Sequence, residues 1–212
     1  MDITEPQDLP AGNFSAWLHQ MEHTSETATG MNVPCGECNA CCRSSYFINI
    51  GVQETETLAR IPRELLSAAP GLAKGNMVMG FTENGHCPML VDNSCSIYEH
   101  RPLTCRNYDC RIFPATSIEM VEDDKALISQ RTRRWRFSYP TQLDRDEHSA
   151  VQAAAKFLTE RAECLDAHVP GNSTQLALLA IKVHDVFLDL SDEDGSRPAD
   201  CVVAEAIRAS NP

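Results

Sequence analysis

Apolar positions along the 212-residue chain change their spacing twice. In the opening stretch, Phe14, Trp17, Leu18 and Met21 recur at helical intervals within sequence rich in Pro, Gly, Thr and Ser. Residues 1 to 34 therefore read as an arm carrying one short amphipathic helix. From residue 35 the apolar runs become short. Tyr46 to Ile50 reads as a strand ending at Gly51, Glu54 to Arg60 as a helix with acids in its first turn, and Arg63 to Ala69 as its continuation past Pro62. Met77 to Phe81 reads as a strand. Asn84-Gly85 and then Asp92 to Ser94 supply tight turns into Cys87 to Val91 and Cys95 to Tyr98.

Beyond Pro140 the helical period returns. Asp144 with Glu147 resembles a capping box, followed by an apolar face of Val151, Ala154, Ala155, Leu158, Ala162 and Leu165. A second helix runs through Leu176, Leu179, Ala180, Val183, Phe187 and Leu190. After an acidic loop at Ser191 to Ser196, a third starts near Pro198 and carries Val202, Val203 and Ala206. The expected fold class is α+β: a 1–34 arm, a 35–136 module of short strands and helices, and a 137–212 extension of about three packed helices.

Composition narrows the setting. Hydrophobic residues at 42% and charged residues at 23% are ordinary for a globular protein, and no apolar run is long enough to span a bilayer. The N-terminal Met-Asp-Ile-Thr-Glu has neither a basic nor an apolar leader character, so the expectation is a cytoplasmic protein with no membrane association. The net charge of −12 is uneven: residues 35 to 136 balance twelve acids with twelve bases, whereas the flanks are acidic. An acidic whole makes nucleic acid an unlikely partner.

In a reducing compartment, clustered thiols point to metal ligation or catalysis rather than disulfides. Eight of the ten cysteines, Cys35, Cys38, Cys41, Cys42, Cys87, Cys95, Cys105 and Cys110, fall between residues 35 and 110. Cys35-Gly-Glu-Cys38-Asn-Ala-Cys41-Cys42 lets the chain curl so that sulfurs two residues apart reach one centre. Adjacent side chains diverge, so Cys41 and Cys42 fit two corners of a cluster, or two halves of a site, better than one ion. Cys87-Pro88 has the stiffened, donor-poor loop found beside iron–sulfur clusters. Eight thiols suffice for two four-coordinate sites. Equally, four hold one cluster while the others pack or serve redox chemistry; spacing alone does not group them.

Taken in order, Cys-x-x-Cys-x-x-Cys-Cys at 35 to 42, Cys87-Pro88-x-Leu90, and Cys95-Ser96-Ile97-Tyr98-Glu99-x-Arg101-Pro102-x-x-Cys105-Arg106 resemble the YkgJ family of CxxCxxCC proteins. The likeness covers about residues 35 to 114, and Met89 stands where the family often has an aromatic. It implies zinc or iron chelation. It extends distantly to the cysteine domain of a flagellin lysine methylase, which holds an iron–sulfur cluster and uses S-adenosylmethionine. That relative favours an iron–sulfur cluster, of the 4Fe-4S type, over zinc as the cofactor. It also raises two enzyme readings, a cluster-dependent protein methyltransferase and a redox enzyme, with a protein as partner or substrate. Against the first, the chain has no Gly-x-Gly-x-x-Gly loop.

Around the thiols, Arg101 and Arg106 are expected to donate to bound thiolates from an outer shell, with Arg43 and Arg111 adding positive charge. His86 and His100 adjoin cysteines and are alternative ligands. The Arg131-Thr-Arg-Arg-Trp-Arg-Phe137 run reads as an element with aromatics inward and arginines in water. Cys164 and Cys201, on helical faces, read as small core residues.

Overall fold

The structure, a computed structural model, describes residues 7–24, 30–31, 33, 35–120, 125–188 and 198–210. In chain order its elements are β1 (Leu9–Asn13), α1 (Phe14–His23), β2 (Ile48–Ile50), α2 (Thr55–Arg60), β3 (Leu66–Ala68), β4 (Met77–Met79), β5 (Leu90–Val91), β6 (Ser94–Cys95), α3 (Leu103–Asn107), α4 (Ile112–Thr116), α5 (Ala126–Thr132), β7 (Trp135–Ser138), α6 (Gln142–Arg161), α7 (Ser173–Val183), α8 (Asp185–Leu188) and α9 (Asp200–Ser210). The architecture is α+β. No helix among the described residues is long and apolar enough to cross a membrane. The chain forms two compact units. One takes Met1–His23, Cys110–Met120 and Thr132–Pro212; the other takes Thr24–Asp109 and Val121–Arg131.

The first unit is built on α6. Ala150, Ala154, Ala155, Phe157 and Leu158 on that helix meet Leu179, Ala180 and Val183 of α7 and Val203 and Ile207 of α9 in one buried cluster. The small alanines let helices approach while the larger side chains fill the space between them. Leu9–Asn13, within the stretch expected to be a loose arm, is instead a strand paired in parallel with β7, its register shifted between Pro10 and Gly12. Gly12 has φ +96°, a conformation open to glycine at little cost. Helix α1 buries the four residues its period predicts, Phe14, Trp17, Leu18 and Met21. Phe14 stacks on His148 at 4.4 Å and meets Phe137 edge-on at 5.0 Å. Trp135 is buried in β7, while Arg136 reaches outward to Asp8 at 3.0 Å, as expected of that basic run.

The capping box of α6 lies three residues earlier than its predicted position. Thr141 is the N-cap and Asp144 its N3 partner. Asp144 also accepts from Asn13 Nδ2 at 2.6 Å and from the backbone N–H of Ser15 at 3.1 Å, so this single carboxylate joins α6 to the start of α1. Two more expectations fail here. Cys164 and Cys201 are exposed rather than core residues, because each lies on the outer side of its helical segment. On α9 the buried positions are Val203, Ala204 and Ile207, and Val202 faces water. Leu190 and the acidic loop 191–196 lie outside the described residues.

In the second unit, β4 pairs antiparallel with both β2 and β3. The expected helix over 63–69 is a single 3-10 turn at Arg63–Leu65 followed by β3, because β4 offers Leu66–Ala68 an open edge. Strand β4 therefore does not form a hairpin with the segment after Asn84-Gly85. That segment forms its own two-stranded sheet, β5 with β6. Ile50, Ile61, Met79, Met89 and Ile97 make the core, with Cys87 and Cys95 packed against it.

Replacing Leu158, which is fully buried, by Ala should cost about 2–5 kcal/mol in chemical unfolding. Asp144 gives a pH signature. The Thr141 hydroxyl and the backbone N–H groups of Ser15 and Thr141 hold its carboxyl well below its ordinary 3.8, against the opposing effect of burial. Its contribution to stability is therefore complete above that ordinary value and is lost as the pH falls below it toward the depressed one. Thermal scans should show wild type losing stability on acidification through this window. Asp144→Asn should start lower at neutral pH and lose less.

Candidate metal centre

The CxxCxxCC segment begins with a tight turn. The N–H of Cys38 donates to the carbonyl of Cys35 at 3.0 Å, and Gly36 takes φ +55°. Residues Cys41–Arg43 then form one 3-10 turn, held by Ser44, whose Oγ donates to the Ala40 carbonyl at 2.7 Å. In such a turn successive side chains are about 120° apart, so Cys41 and Cys42 face different sides, as the doublet requires.

The Cys42 main chain is tied to the next cysteine segment: the N–H of Cys87 donates to the Cys42 carbonyl at 2.7 Å. Asn39 and Arg43 bind a second point of that segment. Asn39 Nδ2 donates to the Asn93 carbonyl at 2.9 Å, and the Arg43 guanidinium donates to the Asn93 side chain. Asn93 and Asp92 have φ +63° and +47°, the paired left-handed conformation of a two-residue hairpin turn, which sets Leu90 opposite Cys95. Helix α3 brings Cys105. It is anchored where the Leu103 N–H donates to Glu54 Oε2 at 2.6 Å and the Thr104 hydroxyl donates to the Asn49 carbonyl at 2.6 Å.

These anchors bring four thiols within electrostatic reach of one another. Burial pushes the Cys42 thiol up to about 12, and the neighbouring Cys87 and Cys95 raise it further than do Cys35 and Cys38. Burial likewise pushes Cys105 up to about 12, followed by Cys87, Cys42 and Cys95, with Arg101 opposing. Cys87 is raised by burial and Cys95, while the backbone N–H groups of Met89 and Leu90 donate to it and draw it down. Cys42, Cys87, Cys95 and Cys105 thus share one neighbourhood. Cys35 and Cys38 form another group, where Cys35 is raised by burial, then by Cys38, with Arg131 opposing. Among the described residues, no three Cys, His, Asp or Glu side chains are gathered tightly enough to hold one ion.

Cys110 belongs to the first unit, where it is buried and its sulfur accepts from the indole N–H of Trp135 at 3.3 Å. Arg101 lies over the Tyr98 ring at 4.0 Å and donates to the Tyr98 carbonyl at 2.8 Å, and its charge reaches both Cys35 and Cys105. Arg106 offers its carbonyl to the Met31 N–H at 3.0 Å and packs against Gly30, where a Cβ would lie 2.7 Å from its own. His100 pairs with Glu56 at 3.4 Å, and the His86 N–H donates to the Thr82 hydroxyl at 3.2 Å.

Sequence reasoning missed Arg131. Its guanidinium donates to the Cys35 carbonyl at 3.2 Å, although the basic run containing it reads as a solvated face. It also missed Asn39 and Asn93 as the clasp between segments; the Asp-Asn turn was legible, its partner 54 residues away was not.

Residues 34–136 match the family model CxxCxxCC, described as a "putative zinc- or iron-chelating domain". Neither the curated proteins nor the solved structures compared with the chain include a match. The ordered cysteine motifs and this match agree: residues 34–136, just under half of the chain, are a CxxCxxCC domain of the family described as zinc- or iron-chelating.

Proposed function

We propose that this protein holds iron in a cysteine-ligated iron–sulfur cluster through Cys42, Cys87, Cys95 and Cys105. The observation that carries the reading is that separately anchored segments, joined by the Cys87 N–H to Cys42 carbonyl bond and the Asn39 to Asn93 bond, bring four thiols within electrostatic reach of one another. Thiolates alone are the donor set of iron–sulfur clusters and of structural zinc, so the chemistry of the residues fits either group. When bound, such a cluster supplies one-electron chemistry tuned by hydrogen bonds to its sulfurs. Here the backbone N–H of Met89 favours ionised Cys87, the Arg101 charge favours ionised Cys105, and burial keeps water away from it.

Zinc in the same four-cysteine set is the second reading, since an all-thiolate donor set is equally that of structural zinc.

Anaerobic purification followed by iron, sulfide and zinc analysis and a visible spectrum tests the assignment. Iron with matching sulfide and a broad visible band is expected. Colourless protein with stoichiometric zinc transfers the assignment to the second reading, and protein with neither metal overturns both. Cys42→Ser and Cys105→Ser should each weaken retention by more than the roughly 10–100-fold that loss of an outer-shell partner costs. Cys164→Ser and Cys201→Ser, at exposed positions, should leave retention unchanged.

A further inference from the structure

Two helices of the first unit end against one buried imidazole. His184 is the C-cap residue of α7 and only 4% exposed. Its Nδ1 lies 2.7 Å from the Ile181 carbonyl oxygen and 3.7 Å from Glu22 Oε1, while its Nε2 lies 3.3 Å from Asp185 Oδ1. Both ring nitrogens therefore face acceptors. A neutral imidazole carries a single N–H, so it must turn a bare lone pair toward either the carbonyl or a carboxylate. The doubly protonated ring satisfies both sides at once. The helix ends act in the same direction. Carbonyls at the C-terminus of α7 favour a cation at His184, and Glu22 lies in the last turn of α1, where the dipole of its own helix disfavours an acid. The N–H groups of Phe187 and Leu188 donate to the His184 carbonyl at 2.8 and 3.2 Å, so the same residue also starts α8.

We propose that His184 is a proton-operated latch: doubly protonated, it joins Glu22 of α1 to Asp185 at the start of α8, and loss of one ring proton releases the last turn of α1. On opening, the ring keeps the Nδ1–H that donates to Ile181. Nε2 gives its proton to solvent and is left with a lone pair against Asp185, and the charge that offset Glu22 is gone. The latch is thus closed at lower pH and opens as pH rises through the range in which imidazoles lose their charge. Strong acid opens it from the other side. Burial holds the Glu22 carboxyl above its ordinary 4.5, with His184 opposing and Asp185 adding to the rise, so Glu22 takes up a proton early on acidification. His19 and His23, stacked at 4.4 Å on the same helix, also act on Glu22.

Around the rest of α7 the charged groups are engaged elsewhere. Helix α4 has no titratable residue. On α6, Asp144 binds the start of α1, His148 meets Tyr139, Lys156 pairs with Glu160, and Arg161 pairs with Asp200. Arg208 of α9 pairs with Asp166, and Lys182 of α7 donates to the Ser210 carbonyl. Among the described residues, Glu22 and Asp185 are the carboxylates within ion-pair distance of the ring. Helix α1 ends at His23, and Thr24 is the first residue of the cysteine unit, so opening the latch frees the residues that lead out of the helical unit.

Hydrogen exchange of the full chain, purified anaerobically, tests the latch. It is followed by mass spectrometry at about pH 6 and about pH 8.5, corrected for the intrinsic exchange rate. In wild type, protection of the amides of residues 18–23 should fall roughly tenfold across that interval, while protection in α6 holds. In His184→Gln it should be low at both pH values. His19→Asn/His23→Asn, changed at exposed positions, should keep the wild-type fall. Protection that is the same at both pH values in wild type overturns the inference, and so does an equal fall throughout α6. A fall that persists in His184→Gln, or that vanishes in the His19/His23 variant, overturns it as well. Wild type and the His19/His23 variant decide the matter even where His184→Gln does not fold.

Discussion

Thiols packed beside one another out of water resist ionisation, and the cysteine unit is organised around that resistance. For Cys105 the rise from its ordinary 9.0 to about 12 corresponds to ~4 kcal/mol against the thiolate. Burial is the larger cause and neighbouring sulfurs the next. A cation placed among the sulfurs reverses both effects, since a coordinating thiol is deprotonated outright. The same enclosure that penalises bare thiolates would then strengthen their attraction to the metal. This explains why so much of the surrounding structure is positional. Short strands with little core of their own are held by side chain-to-backbone bonds, from Asn39 to Asn93 and from Thr104 to Asn49. Glu54 alone accepts from the Gly51 and Leu103 N–H groups at 2.7 and 2.6 Å.

Helices in the first unit rest on a more ordinary basis, apolar burial along α6, α7 and α9. Its polar exceptions are deliberate. Asp144, almost fully buried, is saturated by donors from Asn13, Ser15 and Thr141. His148 stacks on Tyr139 and on Phe14 while its Nδ1 meets the Tyr139 hydroxyl at 2.8 Å. The satisfied carboxylate of Asp144 fixes the relative placement of α1 and α6 more narrowly than apolar contact does.

How much of this was legible in the sequence depended on the range of the interaction. Helix α1 announced its buried face because Phe14, Trp17, Leu18 and Met21 carry the signal locally, and the Asp92-Asn93 turn did the same for β5 and β6. Leu66–Ala68 reads as helix in the sequence because what makes it extended is its pairing with β4, which the local pattern does not display. Leu9–Asn13 was misread for the same reason, with β7 as the partner. The α6 cap was displaced because Asp144 has two roles, and the sequence displays only its candidacy as a first residue, not its service as the third. At the centre, the thiols themselves were plain. What is not plain is the bond from the Cys87 N–H to the Cys42 carbonyl, which joins segments far apart in the chain.

The parallel pairing of β1 with β7 has a consequence for how the chain is made. Asn13 and the carboxylate that secures it are 131 positions apart, so the first strand leaves the ribosome long before its partner exists. The cysteine unit lies almost wholly between them and is synthesised complete while the flanking unit is still in two pieces. Because closing a long loop costs little more than closing a moderate one, a folded middle that shortens the effective span helps the late strand find the early one only modestly. What it does more strongly is set an order. Every residue of the cysteine unit is made before β7 and α6, so the segments that enclose its thiols are complete before the last helices exist.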